Sequence, residues 1–319
     1  MQYTTLGRTG LKVSVAGFGA GGNSRVGQGR GLSVDQSVAL LREAFDLGVN
    51  FVDTAEAYGT EEIVGKAVGQ VPRDSVVVST KSGIRRGDRW MTGAEVIENM
   101  EASLKRLALD HVEVFLLHAV PPAAYDHVTT EILPHLLRQK EAGKILHIGV
   151  TETAPNDPQQ TMIRRAVRDE PWEVVMLAFH MMNQKARRHV FPETRARGVG
   201  TLLMFVVRNI FSNPEALRSA MRELVAAGKV PAALDRDGPL DFLVHAGGAA
   251  SVTDAAYRFG RHEPGADVVL FGTGDRDHLR ANIASILAPP LPAADVERLY
   301  ALFGELEGVG LDLPGKAPA

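Results

Sequence analysis

The stretch FVDTAEAYGTEEIVGKAV, residues 51 to 68, begins as an apolar strand and ends as an amphipathic helix. Between the two elements stand three ionisable side chains, Asp53, Glu56 and Tyr58. Burying a charged group costs free energy. An acid and a phenol at the end of a buried strand therefore need partners from elsewhere in the chain. The change from strand to helix itself predicts one βα unit.

The same change from a short β-rich run to a longer amphipathic stretch recurs from about residue 13 to about residue 288. This repetition is typical of parallel βα units, and eight strands are the number that closes a (β/α)8 TIM barrel. We therefore predict the α/β class, with one barrel domain over residues 1–319. The predicted strands cover residues 13–19, 50–55, 75–81, 111–118, 145–151, 173–179, 200–207 and 266–272.

Start signals for two helices are clear in the sequence. Ser33 with Gln36, and Thr92 with Glu95, have the spacing of a capping box. Residues 208–250 show no clear period and are predicted to form an irregular loop excursion. The tail LPGKAPA, residues 313–319, is expected to be frayed or loosely packed.

The composition excludes several classes of function. The 319 residues carry 35 basic and 38 acidic side chains, a formal net charge of −3, without a long basic block. Nucleic acid and anionic membrane surfaces are therefore not expected as partners. The chain has no cysteine, which excludes disulfides, thiolate metal sites and a cysteine nucleophile. The absence of an apolar leader or of a long apolar run predicts a cytoplasmic, soluble protein.

Polar side chains stand at three predicted strand ends, which converge on one face of such a barrel. Asp53 ends the second strand, Lys81 the third and His118 the fourth, while Tyr58 follows the second strand in its loop. A lysine cation favours the phenolate form of a nearby tyrosine and so lowers its pKa, and an aspartate holds that lysine. A histidine can bind a carbonyl oxygen. Each residue alone fits a structural role, but together they predict a general acid and a clamp for a C=O group.

Six segments in order resemble the signatures of the aldo-keto reductases, from Leu6 to about Leu287: LGRTGLKVSVAGFGAGG, NFVDTAEAYGTEEIVGKAV, VVVSTKSG, LKRLALDHVEVFLLH, GKILHIGVT and VVLFGTGDRDHLRANI. The resemblance implies a (β/α)8 barrel whose base is closed by an N-terminal hairpin over residues 3–13. It also implies a catalytic tetrad, with Tyr58 protonating a carbonyl oxygen as hydride reaches the carbon. The tetrad residues are Asp53, Tyr58, Lys81 and His118. Glu56 is expected to be a rim residue.

The resemblance further implies a nicotinamide cofactor. NADPH is the expected form and NADH a possible one, because Arg276 can pair with a 2′-phosphate. The segment GTGDRDHLRAN, residues 272–282, predicts a glycine turn and a helix start, whose N–H groups favour an anion. The expected cofactor-binding residues are Gly19, Ala20, Gly21, Asp53, Thr151, Glu152, Met176, Met204, Gly272, Thr273, Gly274, Arg276, His278 and Asn282.

The expected nicotinamide subsite departs from the common family pattern. Thr151 and Glu152 replace a Ser-Asn pair, Met176 replaces a glutamine, and Met204 stands in place of a stacking aromatic. We expect Thr151 or Glu152 to accept a carboxamide N–H and Met204 to pack on the ring. His180 is either a donor to the substrate or a histidine satisfied within its loop.

Two other functions stay open from the residues. One is a non-catalytic, nucleotide-binding regulatory or sensor protein on the same barrel. The other is a metal-dependent hydrolase using Asp53 and His118, but it lacks clustered histidines, so no metal is expected. The expected substrate is a small aldehyde, ketone or sugar, whose identity, like the reaction direction and the oligomeric state, the sequence does not determine. The candidate pocket residues lie in loops: Arg85, Arg86, Arg89 and Trp90 after the third strand, Tyr125 after the fourth, and the excursion over residues 208–250. The arginines fit either an anionic or sugar-like substrate or a solvated loop, and the solvated loop is the expected case.

Overall fold

A closed barrel of eight parallel strands forms the centre of the chain in a computed structural model that describes residues 1–311. Within this range the strands are β1 (Tyr3–Thr5), β2 (Lys12–Ser14), β3 (Ala16–Gly19), β4 (Phe51–Asp53), β5 (Val77–Gly83), β6 (Arg85–Arg86), β7 (Arg89–Trp90), β8 (Val112–Val120), β9 (Ile145–Glu152), β10 (Val174–Ala178), β11 (Gly200–Met204) and β12 (Val268–Phe271). The barrel runs β3-β4-β5-β8-β9-β10-β11-β12 and closes back onto β3. This confirms the predicted fold class. The tail over residues 313–319 lies outside the described residues.

Helices connect the barrel strands and cover their outer faces. They are α1 (Val34–Asp46), α2 (Glu61–Val68), α3 (Gly93–Leu107), α4 (Tyr125–His127), α5 (Leu133–Glu141), α6 (Thr161–Ala166), α7 (Ala186–His189), α8 (Phe191–Arg197), α9 (Asn209–Ser212), α10 (Pro214–Ala226), α11 (Val252–Arg261), α12 (Arg276–Leu287) and α13 (Ala293–Phe303). Both predicted capping boxes are present, at the starts of α1 and α3. In the first, Gln36 N–H donates to Ser33 Oγ at 3.2 Å and Ser33 N–H donates to Gln36 Oε1 at 2.9 Å.

The barrel has an inner and an outer core, because alternate residues of a strand point to opposite faces. Val52 and Val78 point outward and join the large cluster shared with the helices. Phe51 and Val77 point inward and pack with Leu6 of the N-terminal segment. The antiparallel pair β1–β2 therefore closes the base of the barrel, as the resemblance implied.

The structure corrects two details of the prediction. The first predicted strand is two strands, since residues 12–14 pair with β1 in the base hairpin and residues 16–19 enter the barrel. Residues 208–250 are not simply irregular, because they include α9 and α10. The start of α10 is capped by Asn213, whose side chain accepts from Glu215 N–H at 3.0 Å and Ala216 N–H at 3.3 Å. Pro214 occupies the first turn, so an Asn-Pro-Glu signal was present in the sequence.

Candidate active site

A buried lysine–aspartate pair lies at the carboxyl end of the barrel. Lys81, in β5, has 0% relative exposure, and Asp53, at the end of β4, has 3%. Lys81 Nζ donates to Asp53 Oδ2 at 2.7 Å and to the carbonyl oxygen of Thr54 at 2.7 Å. These two bonds fix the position of the ammonium group below the loop that follows β4.

Tyr58 and His118 complete the rim above this pair. Tyr58 ends a short 3-10 helix over Glu56–Tyr58, and Lys81 Nζ lies 4.8 Å from the centroid of its ring. His118, in β8, meets the Tyr58 ring edge to face, with 5.5 Å between the ring centroids. The structure thus brings all four predicted tetrad side chains together, from three neighbouring strands and one loop.

The loop after β3 holds Tyr58 from its other side. A Cβ atom placed on Gly21 would lie 2.5 Å from Tyr58 Cε2, so only glycine lets the backbone approach the ring this closely. Ala20 N–H donates to the carbonyl oxygen of Asp53 at 2.7 Å, and Arg25 Nε donates to the carbonyl oxygen of Tyr58 at 3.1 Å. Gly21, expected to line the cofactor, therefore also positions the phenol.

The Lys81 and Asp53 side chains balance each other electrostatically. Burial works to lower the pKa of Lys81, but the charge of Asp53 and the contact with Tyr58 outweigh it and raise that pKa. Burial raises the pKa of Asp53, and Lys81 opposes this rise. The pair is an ion pair, because each charge has its counterion at hydrogen-bonding distance.

The pKa of the tyrosine differs from expectation, whereas His118 is set up to bind an oxygen as a neutral ring. Burial raises the pKa of Tyr58, and the nearby Lys81 cation offsets only part of that rise. The expectation of a net lowering of the Tyr58 pKa is thus wrong, since the spacing of residues carries no information on desolvation. Burial and the charge of Lys81 lower the pKa of His118 to about 3, so its imidazole is neutral at neutral pH.

Two glycine turns lie against each other beside the tetrad. Phe271 of β12 pairs with Phe18 of β3, so the turn after β12 sits next to the one after β3. A Cβ atom on Gly272 would lie 2.9 Å from the carbonyl oxygen of Gly19, and one on Gly274 would lie 2.5 Å from Gly27 Cα. Glycine at these positions therefore lets the two turns pack backbone against backbone. Thr273 lies between the two glycines, and its Oγ1 accepts from Asp275 N–H at 3.1 Å.

The side chains expected to bind the nicotinamide carboxamide already make hydrogen bonds within the protein. Thr151 Oγ1 accepts from Ala119 N–H at 2.7 Å, and Glu152 Oε1 accepts from Ala178 N–H at 2.6 Å. Within residues 1–311, Glu152 Oε2 is buried and has no hydrogen-bond partner, which leaves one oxygen for a ligand. Burial raises the pKa of Glu152 to about 8, so this carboxyl group is mostly protonated at neutral pH. Met176 and Met204 pack at the barrel interior.

The predicted anion site at the start of α12 already holds a carboxylate. Asp275 caps the helix, with Oδ1 accepting from Asp277 N–H at 2.9 Å and from His278 N–H at 3.0 Å. Arg276, the predicted partner of a 2′-phosphate, is exposed and lies with its Nε 3.3 Å from Glu43 Oε2. Sequence reasoning missed Glu43, because it belongs to α1, far from α12 in the chain. His278 is exposed and Asn282 half-buried on the same helix.

The model of the Aldo/keto reductase family matches residues 17–303.

The chain belongs to the aldo/keto reductase family.

It is similar to L-galactose dehydrogenase of Arabidopsis thaliana, with 33% identity over 208 residues, 63% of this chain and 64% of that one. It is also similar to the aldo-keto reductase YhdN of Bacillus subtilis (strain 168), with 28% identity over 309 residues, 88% of this chain and 87% of that one. Among solved structures, the holo form of aldo-keto reductase AKR11C1 from Bacillus halodurans superimposes with a TM-score of 0.71 at 20% identity, over 98% of this chain and 100% of that one. The last likeness shows the shared fold.

In this aldo-keto reductase, the candidate substrate-loop arginines are held by a glutamate. Arg86 Nη1 lies 2.7 Å and Arg89 Nη2 lies 2.6 Å from Glu95 Oε1, while Arg85 lies over the ring of Trp90. Since Glu95 also closes the capping box of α3, these charges stabilise the hairpin β6–β7 and the helix start.

Two aromatic candidates are structural. Tyr125 is fully buried; its hydroxyl donates to Asp169 Oδ2 at 2.5 Å and accepts from Trp172 Nε1 at 2.9 Å, so it does not line a substrate pocket. His180 is also fully buried; its Nδ1 accepts from Met182 N–H at 3.2 Å and its ring packs on Phe211. Its Nε2 is buried without a hydrogen-bond partner within residues 1–311, so the loop satisfies only one of the two ring nitrogens.

No helix within residues 1–311 is long and apolar enough to cross a membrane.

Proposed function

We propose that this aldo-keto reductase reduces an aldehyde, ketone or sugar carbonyl to an alcohol, or runs the reverse reaction, with Tyr58 as general acid and base. The observation that supports this most is the buried Lys81 ammonium, 2.7 Å from Asp53 Oδ2 and 4.8 Å from the centroid of the Tyr58 ring. A buried cation directly below a phenol is the arrangement needed to stabilise a phenolate.

The tetrad residues divide the proton chemistry among them. In reduction, the O–H bond of Tyr58 breaks as its proton moves to the substrate oxygen, and the phenolate left behind is stabilised by Lys81. Because burial raises the pKa of Tyr58, the phenol is protonated at neutral pH, which is the state a proton donor needs. The neutral ring of His118 can donate an N–H to the same oxygen and orient it.

A nicotinamide dinucleotide, when bound, supplies the hydride that reaches the carbonyl carbon. We propose that the glycine turns at residues 19–21 and 272–274 hold it, with Thr151, Glu152, Met176 and Met204 around the nicotinamide end. On the charge of Arg276 alone, NADPH is the predicted form and NADH the alternative. Thr273, His278 and Asn282 are the other proposed contacts at the adenosine end.

The substrate proposal is a small uncharged carbonyl compound. Arg86 and Arg89 share the carboxylate of Glu95, and Arg85 lies 3.6 Å from Asp88 Oδ1. Two carboxylates thus neutralise most of the charge of the three arginines in this hairpin, which favours an uncharged substrate over an anionic one. Similarity to a protein named L-galactose dehydrogenase makes an aldose, oxidised by NAD+ or NADP+, the first compound to try in the reverse direction.

Activity on a substrate panel tests this proposal. Aldehydes, ketones and aldoses would be supplied with NADPH or NADH, and aldoses with the oxidised forms, while absorbance of the reduced nicotinamide is followed. We expect turnover of at least one carbonyl class. Tight dinucleotide binding without turnover of any compound would favour the regulatory or sensor protein instead, and no binding of any dinucleotide would contradict both functions.

A further inference from the structure

A glutamate on α1 holds two arginines of α12 at the proposed adenosine end. Glu43 Oε1 lies 2.5 Å from Arg280 Nη2, and Glu43 Oε2 lies 3.3 Å from Arg276 Nε. The Glu43 side chain is only 17% exposed, whereas the two arginine side chains are 59% and 57% exposed. The carboxylate is thus the fixed part of the cluster, and the arginines extend from it toward solvent.

Charge in this region is balanced. Arg280 Nη1 also lies 3.5 Å from Asp277 Oδ1, and Arg30 Nη1 lies 3.8 Å from Asp275 Oδ2. Three carboxylates therefore face three guanidinium groups: Glu43, Asp275 and Asp277 against Arg30, Arg276 and Arg280. The backbone N–H groups of Asp277 and His278, in the first turn of α12, already donate to Asp275 Oδ1. A 2′-phosphate, which carries nearly two negative charges, meets no surplus of positive charge here.

We infer that Glu43 determines which dinucleotide this protein takes, by withholding Arg276 and Arg280 from a 2′-phosphate. The inference rests on the proposed function, since it concerns the cofactor of the proposed reaction. It also reverses the preference predicted from Arg276 alone. With Glu43 in place, NADH binds at least as tightly as NADPH, and Asp275 adds a carboxylate able to accept from a 2′-hydroxyl.

The chemistry of a 2′-phosphate explains the direction of this effect. To bind Arg276, the phosphate must either displace Glu43 from the guanidinium or share it with a carboxylate of the same sign. The unphosphorylated ribose meets neither obstacle. Removing the charge of Glu43, while keeping its shape, should free both arginines and strengthen NADPH binding selectively.

Dinucleotide titrations of Glu43→Gln test the inference by binding alone. Dissociation constants for NADPH and NADH would be measured through protein fluorescence in the wild type and the variant. We expect the NADPH constant to fall about three- to tenfold, the size of a charge contact at a half-exposed site, and the NADH constant to stay within about twofold. The matched control is Asp46→Asn, which removes a carboxylate from the same helix that pairs with Arg42 instead.

A double-mutant cycle links the gain to Arg276. Arg276→Met should change NADPH binding little in the wild type and should cancel part of the gain in Glu43→Gln. NADPH binding that is unchanged in Glu43→Gln, with both dinucleotides still bound, would overturn the inference and leave the proposed function standing. Preference for NADPH in the wild type by tenfold or more would overturn it as well. If no variant bound any dinucleotide, the proposed function would fail together with it.

Discussion

Lys81 carries a charge in a fully buried position, and its two hydrogen bonds compensate the ammonium group for the loss of water. Asp53 supplies the counterion and the Thr54 carbonyl a second acceptor, which leaves the third ammonium hydrogen on the side of Tyr58. A charge so placed cannot be screened by water, so it acts strongly on a phenolate formed beside it.

Tyr58→Phe removes the proposed proton donor and keeps the ring. We expect turnover to fall by about two to four orders of magnitude, the usual range for a positioned acid. The dissociation constant for the dinucleotide should barely change, because the fold and the glycine turns are intact. Tyr3→Phe, at the base of the barrel, is the matched control and should keep wild-type turnover. Near-normal turnover by Tyr58→Phe would show that another group donates the proton.

Lys81→Met should reduce turnover and also destabilise the fold. It leaves the Asp53 carboxyl group buried without a counterion, which typically costs about 3–5 kcal/mol. Urea unfolding measures this loss, and the double variant Asp53→Asn/Lys81→Met should recover part of it without recovering turnover. If the double variant were no more stable than Lys81→Met, the pair would not be the cause of the loss.

At the scale of elements, the loop after β3 connects the tetrad to the glycine turn after β12, which is part of the proposed cofactor site. Gly21 touches the Tyr58 ring and Gly27 touches Gly274 of the turn after β12. The Gly21 contact is close enough that a methyl group must displace the phenol.

Gly21→Ala should therefore lower turnover by about tenfold or more, since small misplacements of a catalytic group are costly. Circular dichroism should report an intact fold. The matched control is Gly69→Ala, where the new Cβ would lie 3.4 Å from its nearest neighbour, the carbonyl oxygen of Gly65. Wild-type turnover by Gly21→Ala would show that Tyr58 adjusts freely or is not the acid.

Glu152 joins the ends of β9 and β10 through a buried carboxyl group, and this gives the fold a pH dependence. Its pKa is raised by burial to about 8, above the value of about 4.3 expected when unfolded. Between these values the folded protein binds the proton more tightly, so the contribution of Glu152 to stability is complete at low pH and lost as pH rises toward about 8.

We expect Glu152→Gln to remove this dependence. Urea unfolding would be measured between about pH 5 and pH 8. As pH rises, the free energy of unfolding of the wild type should fall relative to that of the variant, by up to about 1.4 kcal/mol per pH unit. Parallel curves for the two proteins would mean that Glu152 is ionised in the folded state.

At the scale of the whole molecule, the features predictable from sequence were the periodic and local ones. The barrel was predictable because the hydrophobic period changes eight times from that of a strand to that of a helix. The capping box at Ser33 was predictable from a pattern of four residues. The tetrad meets because ends of parallel strands share one face. What could not be predicted depends on contacts between distant segments or on burial. Glu43 reaches Arg276 only after α1 packs near α12, and the raised pKa of Tyr58 follows from desolvation that no spacing encodes.

Transfer of hydride to a carbonyl carbon is the central claim, and a labelled cofactor tests it most directly. Purified protein would be given reduced dinucleotide carrying deuterium at C4 of the nicotinamide, in both labelled epimers, with each carbonyl compound of the panel. Mass spectrometry of the alcohols should find deuterium on the carbinol carbon for one of the two epimers. The rate at which this deuterated alcohol forms should be far lower in Tyr58→Phe than in the wild type. Alcohol without deuterium from either epimer, or dinucleotide bound with no alcohol formed from any compound, would contradict the account.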